Sequence, residues 1–429
     1  METTAPVYPP TCFGAPLLAD PAGTRRAKAR ALLRGIRDRL VIVTDWLATR
    51  TPAPHPRRGI AVIMPHGLGD LLLLTPALTH IRTCSPAEPV VLICSAAAKD
   101  YAELYVKPDI LILIDRVRFR RDLIFRMRTL ASIARTGTRI ALQPSYNREH
   151  LIEDALVRAT GADQRIGADG SEILISPAER FRGDRWYTRL VDSSPESRHE
   201  SDYYGTFATA VTGIPPSVWL PRLPRPARHG AVPANPYMVV ACQASSPVKA
   251  WPEEKFIAAA EAISAQTGLA LVMVGSVPRP GSAARVNIVD LCGKTDLAAL
   301  IAVLAGASVV LCNDSAPVHL AAALGIPAVA VCGGGIPDRY LPYPSSHRHP
   351  APPRLVTVDP VPPCFGCGWR CRYAAMPGAP FACVAGVQPD RVVSAVLLAL
   401  GSAPRATPPA NGSGESPASH PARGFLADT

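Results

Sequence analysis

Four short constellations hold side chains whose types and spacing suit chemistry. The first is His66-Gly67-Leu68-Gly69-Asp70, directly after the apolar run 59–65. Glycines at 67 and 69 permit a tight turn and close approach by another molecule. Asp70 then falls in the first turn of a helix. There a carboxylate either caps the helix or, with its ionised form favoured by the helix N-terminus, acts as a general base. The spacing is not the dinucleotide fingerprint, because the third glycine position, 72, is leucine. The second constellation is Asn313-Asp314-Ser315-Ala316-Pro317-Val318-His319. Asp and Ser are favoured N-caps and Pro is tolerated in a first turn. Free N–H groups and the helix dipole suit such a start to a phosphate, and the same residues equally make an ordinary capped helix. Asp314 holds the loop or faces the anion; His319, one turn in, lines the site or packs in the core. The third is the loop 245–252, where Lys249 precedes a helix beginning near Pro252. A lysine aimed at this edge neutralises a diphosphate; one aimed outward is merely solvated. The fourth is Cys364-x2-Cys367-x3-Cys371-x11-Cys383. Four thiols at this spacing suit a tetrahedral structural zinc or iron, with free or redox-exchanging thiols the alternative.

These groups need a scaffold, and the surrounding pattern supplies one. Apolar runs at 59–65, 89–95, 110–115 and 139–144 alternate with helix-like stretches, and the pattern restarts at 237–242, 269–276, 287–293, 307–313 and 327–333. Uniformly apolar strands alternating with helices mean parallel sheets covered on both faces. Seven prolines between 215 and 236 mark an interdomain connection. The expected class is α/β, with two doubly wound Rossmann-like domains facing across a cleft. The expected divisions are a basic N-terminal extension and linker over 1–58, a first domain over 59–225, a second over 236–400 and a disordered tail over 401–429.

The chain has 429 residues, 48% hydrophobic and 18% charged, which excludes global disorder. The formal charge of +11 is uneven. Residues 1–58 carry ten basic and four acidic side chains, and residues 115–139 carry eight and two. Two local patches suggest a docking surface for something anionic. A nucleic-acid partner is not expected, since no recognition motif or interleaved aromatic accompanies the arginines. Residues 24–49 read as a helix with a basic face, packed on the domain or touching a membrane. No secretory leader and no clean apolar run of spanning length is present, so a cytoplasmic protein is expected. The eleven cysteines then divide into the four-thiol cluster and seven scattered thiols, Cys94, Cys312 and Cys332 among them, expected to be buried.

Taken in order, the motifs resemble glycosyltransferase family 9, the heptosyltransferases of lipopolysaccharide core assembly. The resemblance covers about 59–400. It rests on HGLGDLLLLTPALTHIR (66–82), SSPVKAWPEEKF (245–256), LVMVGS (271–276) and the long block NIVDLCGKTDLAALIAVLAGASVVLCNDSAPVHLAAALGIPAVAVCG (287–333). The cysteine cluster followed by VQPDRVVSAV (387–396) resembles the end of many members. The resemblance implies a GT-B fold, with the acceptor on the first domain and a nucleotide sugar, usually ADP-heptose, on the second. It implies that Asp70 is the base beside an acceptor-side loop of Gly67 and Gly69. Lys249 would meet the donor phosphates with the Ser245 hydroxyl nearby. Asp314, Ser315, Ala316 and His319 would form the donor-side helix start. The reaction implied is a single inverting displacement that requires no catalytic metal.

Two positions depart from the family pattern. Ala316 stands where glycine is usual, and the loop 277–286 lacks the acidic residue often placed against the nucleotide ribose. The expected acceptor is an anionic lipid-linked glycan at the cytoplasmic face of the inner membrane, with peripheral contact through the basic patches. A protein O-glycosyltransferase and a catalytically idle sugar-nucleotide-binding protein are the rival expectations.

Overall fold

The computed structural model describes residues 25–50, 54–170, 177–192, 199–279, 288–347, 349–371, 373 and 379–401, with side chains from residue 37 onward. The expected tail, the irregular N-terminus and most of the loop 277–286 lie outside the described residues.

Two six-stranded sheets carry the fold. The first contains β1 (Ile60–Met64), β2 (Val90–Ser95), β3 (Ile110–Ile114), β4 (Ile140–Gln143), β5 (Gln164–Ala168) and β6 (Arg189–Val191), in the order β3-β2-β1-β4-β5-β6. The second contains β7 (Tyr237–Ala241), β8 (Ala270–Met273), β9 (Ile288–Asp290), β10 (Val309–Asn313), β11 (Ala328–Val331) and β12 (Arg354–Val356), in the order β12-β11-β10-β7-β8-β9. Every pairing is parallel. Read from the far edge, the second order repeats the first. In each sheet the first strand in sequence is central, and the chain reverses direction beside it. That puts the topological switch points at β1/β4 and β7/β10, where open α/β sheets bind ligands at the carboxyl ends of their strands.

The central strands are apolar throughout because both faces are covered. β1, β7 and β10 are buried at every residue. The helix Leu68–Cys84 leaves β1 and buries Leu71, Leu72, Leu73 and Leu74 in its second turn. It packs on the helix Glu200–Thr212 and also meets the helix Ala316–Ala323 of the second sheet. One apolar core therefore runs from Ile60 and Leu74 through Tyr237 and Val310, joining the two halves.

The expected N-terminal helix spans Arg25–Ala48. A buried ion pair pins it to the domain: Arg126 Nε and Nη2 each donate to an Asp45 oxygen at 2.6 Å. Its outward residues Leu40, Val43, Trp46 and Leu47 are exposed. The second basic patch is less free than its sequence suggests. Arg116, Arg118, Arg120, Arg126 and Arg139 are all ion-paired, to carboxylates that mostly lie outside 115–139: Glu149, Glu153, Asp45 and Glu88, besides Asp122. The local charge excess is thus largely neutralised by tertiary contact, which narrows the docking surface expected there. Among the described residues no helix is long and apolar enough to cross a membrane.

Candidate active site

Three of the four constellations leave the carboxyl ends of the switch-point strands: Gly67–Asp70 after β1, Ser245–Lys249 after β7 and Asp314–His319 after β10. They converge on one cleft of about 500 Å³, lined by Gly67, Gly69, Asp70, Ser245, Lys249, Asp314, Ser315, Ala316 and His319. Gln243, Ser276, Thr295, Asp296, Leu300 and Tyr340 complete its walls. The volume is that of an ordinary small-ligand site.

Asp70 is in the first turn of its helix and uses both carboxylate oxygens. Oδ2 accepts the Gly67 N–H at 3.2 Å, satisfying one of the helix's free donors. Oδ1 accepts the Tyr340 hydroxyl at 3.0 Å, from the other half of the molecule. Of the two roles left open by sequence, helix cap and general base, the cap contact is made, and the same carboxylate also lines the cleft. Gly69 lies where the halves touch: a methyl there would stand 3.4 Å from His319 Cδ2 and 3.9 Å from Ala316 Cα.

On the second half, Asn313 fixes the loop geometry. Its Oδ1 accepts the Trp251 N–H and its Nδ2 donates to the Cys242 carbonyl, both at 2.8 Å. This holds the loop after β7 against the end of β10. Lys249 ends the short turn Pro247–Lys249, with its Nζ 4.2 Å above the Trp369 ring. Asp314 faces the same space. Burial lifts its carboxyl above the usual carboxylate range; Lys249 opposes that shift and Asp70 adds to it. The helix Ala316–Ala323 starts at Ser315, which makes no side-chain cap, so the helix's free N–H groups open on the cleft. Ser315 Oγ donates instead to the Asn313 carbonyl at 3.3 Å.

His319 is packed, with Nδ1 2.9 Å from the Tyr343 hydroxyl and the two rings stacked. Burial drops its pKa to about 3, so it is neutral. Ala316 needs no glycine-like backbone: among the described residues only Lys107, Asp338 and Trp369 are non-glycines with positive φ. The usual glycine is therefore not required by the turn itself. At the described start of the loop 277–286, Arg279 pairs with Glu253 and Asp290, carboxylates supplied by neighbouring elements rather than by the loop.

Cys364, Cys367, Cys371 and Cys383 line a separate small pocket closed by Phe365, Tyr373 and Phe381. Among the described residues no three His, Cys, Asp or Glu side chains converge closely enough to hold a metal as they stand. Burial raises the Cys383 thiol, and the other three thiols add to the shift. The cysteine loop packs on the run Gly333-Gly334-Gly335. A Cβ at 334 would lie 2.1 Å from the Phe365 ring and one at 335 would lie 2.2 Å from the Trp369 ring. That packing carries Trp369 beneath Lys249. Of the scattered thiols, Cys94, Cys242, Cys292, Cys312 and Cys332 are buried, Cys84 is half-buried and Cys12 lies outside the described residues.

Tyr340 and Trp369 were not singled out from the sequence, and Asn313 was named only as the start of its constellation, without a role. Asn313 had a signal, a polar residue ending an apolar strand. The other two are placed only by contacts distant in the chain.

Fold and family match together define a class: the chain is a glycosyltransferase of GT-B architecture. Residues 155–351 match the model for glycosyltransferase family 9 (heptosyltransferase), and the chain resembles that family. A family 9 glycosyl transferase from Veillonella parvula superposes with a TM-score of 0.61 at 19% identity, covering 82% of this chain and all of that one (100%). The Escherichia coli heptosyltransferase WaaC, solved with ADP-2-deoxy-2-fluoro heptose, gives 0.54 at 16% identity over 79% of this chain and 99% of that one. The E. coli ADP-heptose lipopolysaccharide heptosyltransferase II gives 0.52 at 16% over 80% and 98%. A search of curated proteins finds no match.

Proposed function

We propose that the chain transfers a heptose or related sugar from ADP-heptose to an anionic lipid-linked glycan of the lipopolysaccharide-core type, with inversion. The observation that carries this reading is the single cleft in which a carboxylate from one half faces a lysine and an open helix start from the other. The acceptor hydroxyl oxygen attacks the anomeric carbon, its proton passes to Asp70, and the bond from that carbon to the diphosphate oxygen breaks. Lys249 and the N–H groups at Ser315 and Ala316 take up the charge on the departing diphosphate, with Ser245 beside them. His319 acts by packing. ADP-heptose is the donor that the neighbouring structures' names suggest. Exposed Leu40, Val43 and Leu47, on a helix rich in arginine, support peripheral contact with an anionic membrane.

The four cysteines are the proposed holder of a structural zinc or iron: four soft donors line one pocket. A bound metal would pin the loop that supports Trp369. Elemental analysis of the purified chain reads this directly, and a stoichiometry near zero for both metals removes it.

Mass spectrometry of a reaction containing ADP-heptose and a truncated core lipid tests the main reading. A product heavier by one heptose is expected. Transfer to protein but not to lipid would move the assignment to a protein glycosyltransferase, and tight ADP binding without turnover would leave an idle binding protein.

A further inference from the structure

The segment from Asp338 to His347 belongs to the second half of the molecule but runs along the helix Glu200–Thr212 of the first. Its attachments are specific. The Glu200 N–H donates to the Arg339 carbonyl at 2.7 Å. The Arg339 guanidinium is ion-paired with the buried Glu200 and lies 4.4 Å and 4.6 Å over the rings of Tyr146 and Tyr203. His199 Nε2 donates to the Tyr340 carbonyl at 2.8 Å, and His347 pairs with Asp202. Asp338, at φ +62°, turns the chain into this strap. The strap reaches the cleft at Tyr340, whose hydroxyl donates to Asp70 Oδ1, while Tyr343 packs on the cleft-lining His319.

We propose that Tyr340 is a positioning residue for Asp70, a hydroxyl delivered across the cleft by a strap anchored on the Glu200–Thr212 helix. The inference rests on the reading of Asp70 as the base. With Gly67 N–H on Oδ2 and Tyr340 O–H on Oδ1, the carboxylate is held by one donor from each half. Its orientation is then set only when the halves are together. Tyr340 remains a donor because burial, with the Asp70 and Glu200 carboxylates behind it, holds the phenol well above its usual value.

The test uses the full chain and the isosteric Tyr340→Phe variant. With ADP-heptose and the truncated core lipid, kcat should fall ten- to a hundredfold, while the KM for ADP-heptose and the Kd for ADP change less than twofold. A general loss of structure would move all three. Unchanged kcat overturns the proposal. A second arm needs no turnover: amide hydrogen exchange at residues 67–74 in Tyr340→Phe, in Asp70→Asn and in the double variant. Both single variants should loosen these amides, and the double variant should be no looser than either. Additive loosening, or none in Tyr340→Phe, overturns the contact's role. If the wild type fails to use this donor and acceptor, or Asp70→Asn stays active, the functional reading fails while the exchange arm still decides whether Tyr340 positions Asp70.

Discussion

Asp70 carries two demands on one carboxylate. As the third residue of its helix it accepts the Gly67 N–H, and it also forms part of the cleft wall. Asparagine keeps the shape and an acceptor for Gly67 but cannot take up a proton. Asp70→Asn should therefore lower kcat by about 10²–10⁴, the usual share of a general base, with ADP affinity retained in calorimetry. Lys249, on the other wall of the cleft, meets the opposite demand under the proposed reaction, in which it faces the leaving diphosphate. Lys249→Ala should cost about 1.5–3 kcal/mol of transition-state stabilisation, a ten- to hundredfold loss in kcat/KM, with the melting temperature nearly unchanged. A variant that loses stability and keeps kcat/KM would show that the lysine serves only to cover Trp369. Both residues stood out in the sequence because each lies in the connection that follows an apolar strand, Asp70 six residues past β1 and Lys249 eight past β7, so each is carried to the carboxyl edge of its sheet. Tyr340 was not legible, because its partner is 270 residues away.

Elements place these side chains through a small number of buried polar ties. Asn313 is fully buried and bonds both the Trp251 N–H and the Cys242 carbonyl. Asn313→Ala leaves those two backbone groups unsatisfied in the interior. It should lower the unfolding free energy by about 1–3 kcal/mol in a denaturant melt and loosen the Lys249 loop, which raises the donor KM. Retained stability would mean that water replaces the amide. The alternation of strands and helices was readable from the spacing of apolar runs along the chain, because parallel strands covered on both faces must be uniformly apolar. The ion-paired state of the 115–139 arginines was not, since Glu88, Glu149 and Glu153 reach them only through the fold. The cysteine loop is intermediate. Its spacing announces the thiols, but its packing on Gly334 and Gly335, and through Trp369 on Lys249, follows from ring placement that no spacing encodes.

At the scale of the whole molecule, the two halves meet across buried histidines, and that makes their union sensitive to acid. His199 is neutral: Nδ1 accepts the Ser201 N–H at 3.2 Å while Nε2 donates to Tyr340, and burial drops its pKa from 6.5 to about 4. His319, dropped to about 3, lies against the same strap. A histidine whose folded pKa lies below its unfolded value binds its proton more readily in the unfolded chain. Its contribution is therefore complete above pH 6.5 and is lost progressively as pH falls from 6.5 towards the folded value. For His199 alone the loss by about pH 4 is of the order of 3 kcal/mol, at about 1.36 kcal/mol per pH unit. The carboxyls of Glu200 and Asp314, which burial holds above the usual range, act with opposite sign and offset part of the loss at the acid end. Melting temperatures recorded between pH 7.5 and 4.5 should fall most steeply below 6.5. His199→Gln keeps a donor for the Tyr340 carbonyl without a titrating ring, so it should flatten that slope while leaving the neutral-pH melt within a few degrees. An unchanged slope in His199→Gln would sink the assignment and shift the acid sensitivity to His319, whose stacked contact with Tyr343 is the other neutral-histidine tie in the strap.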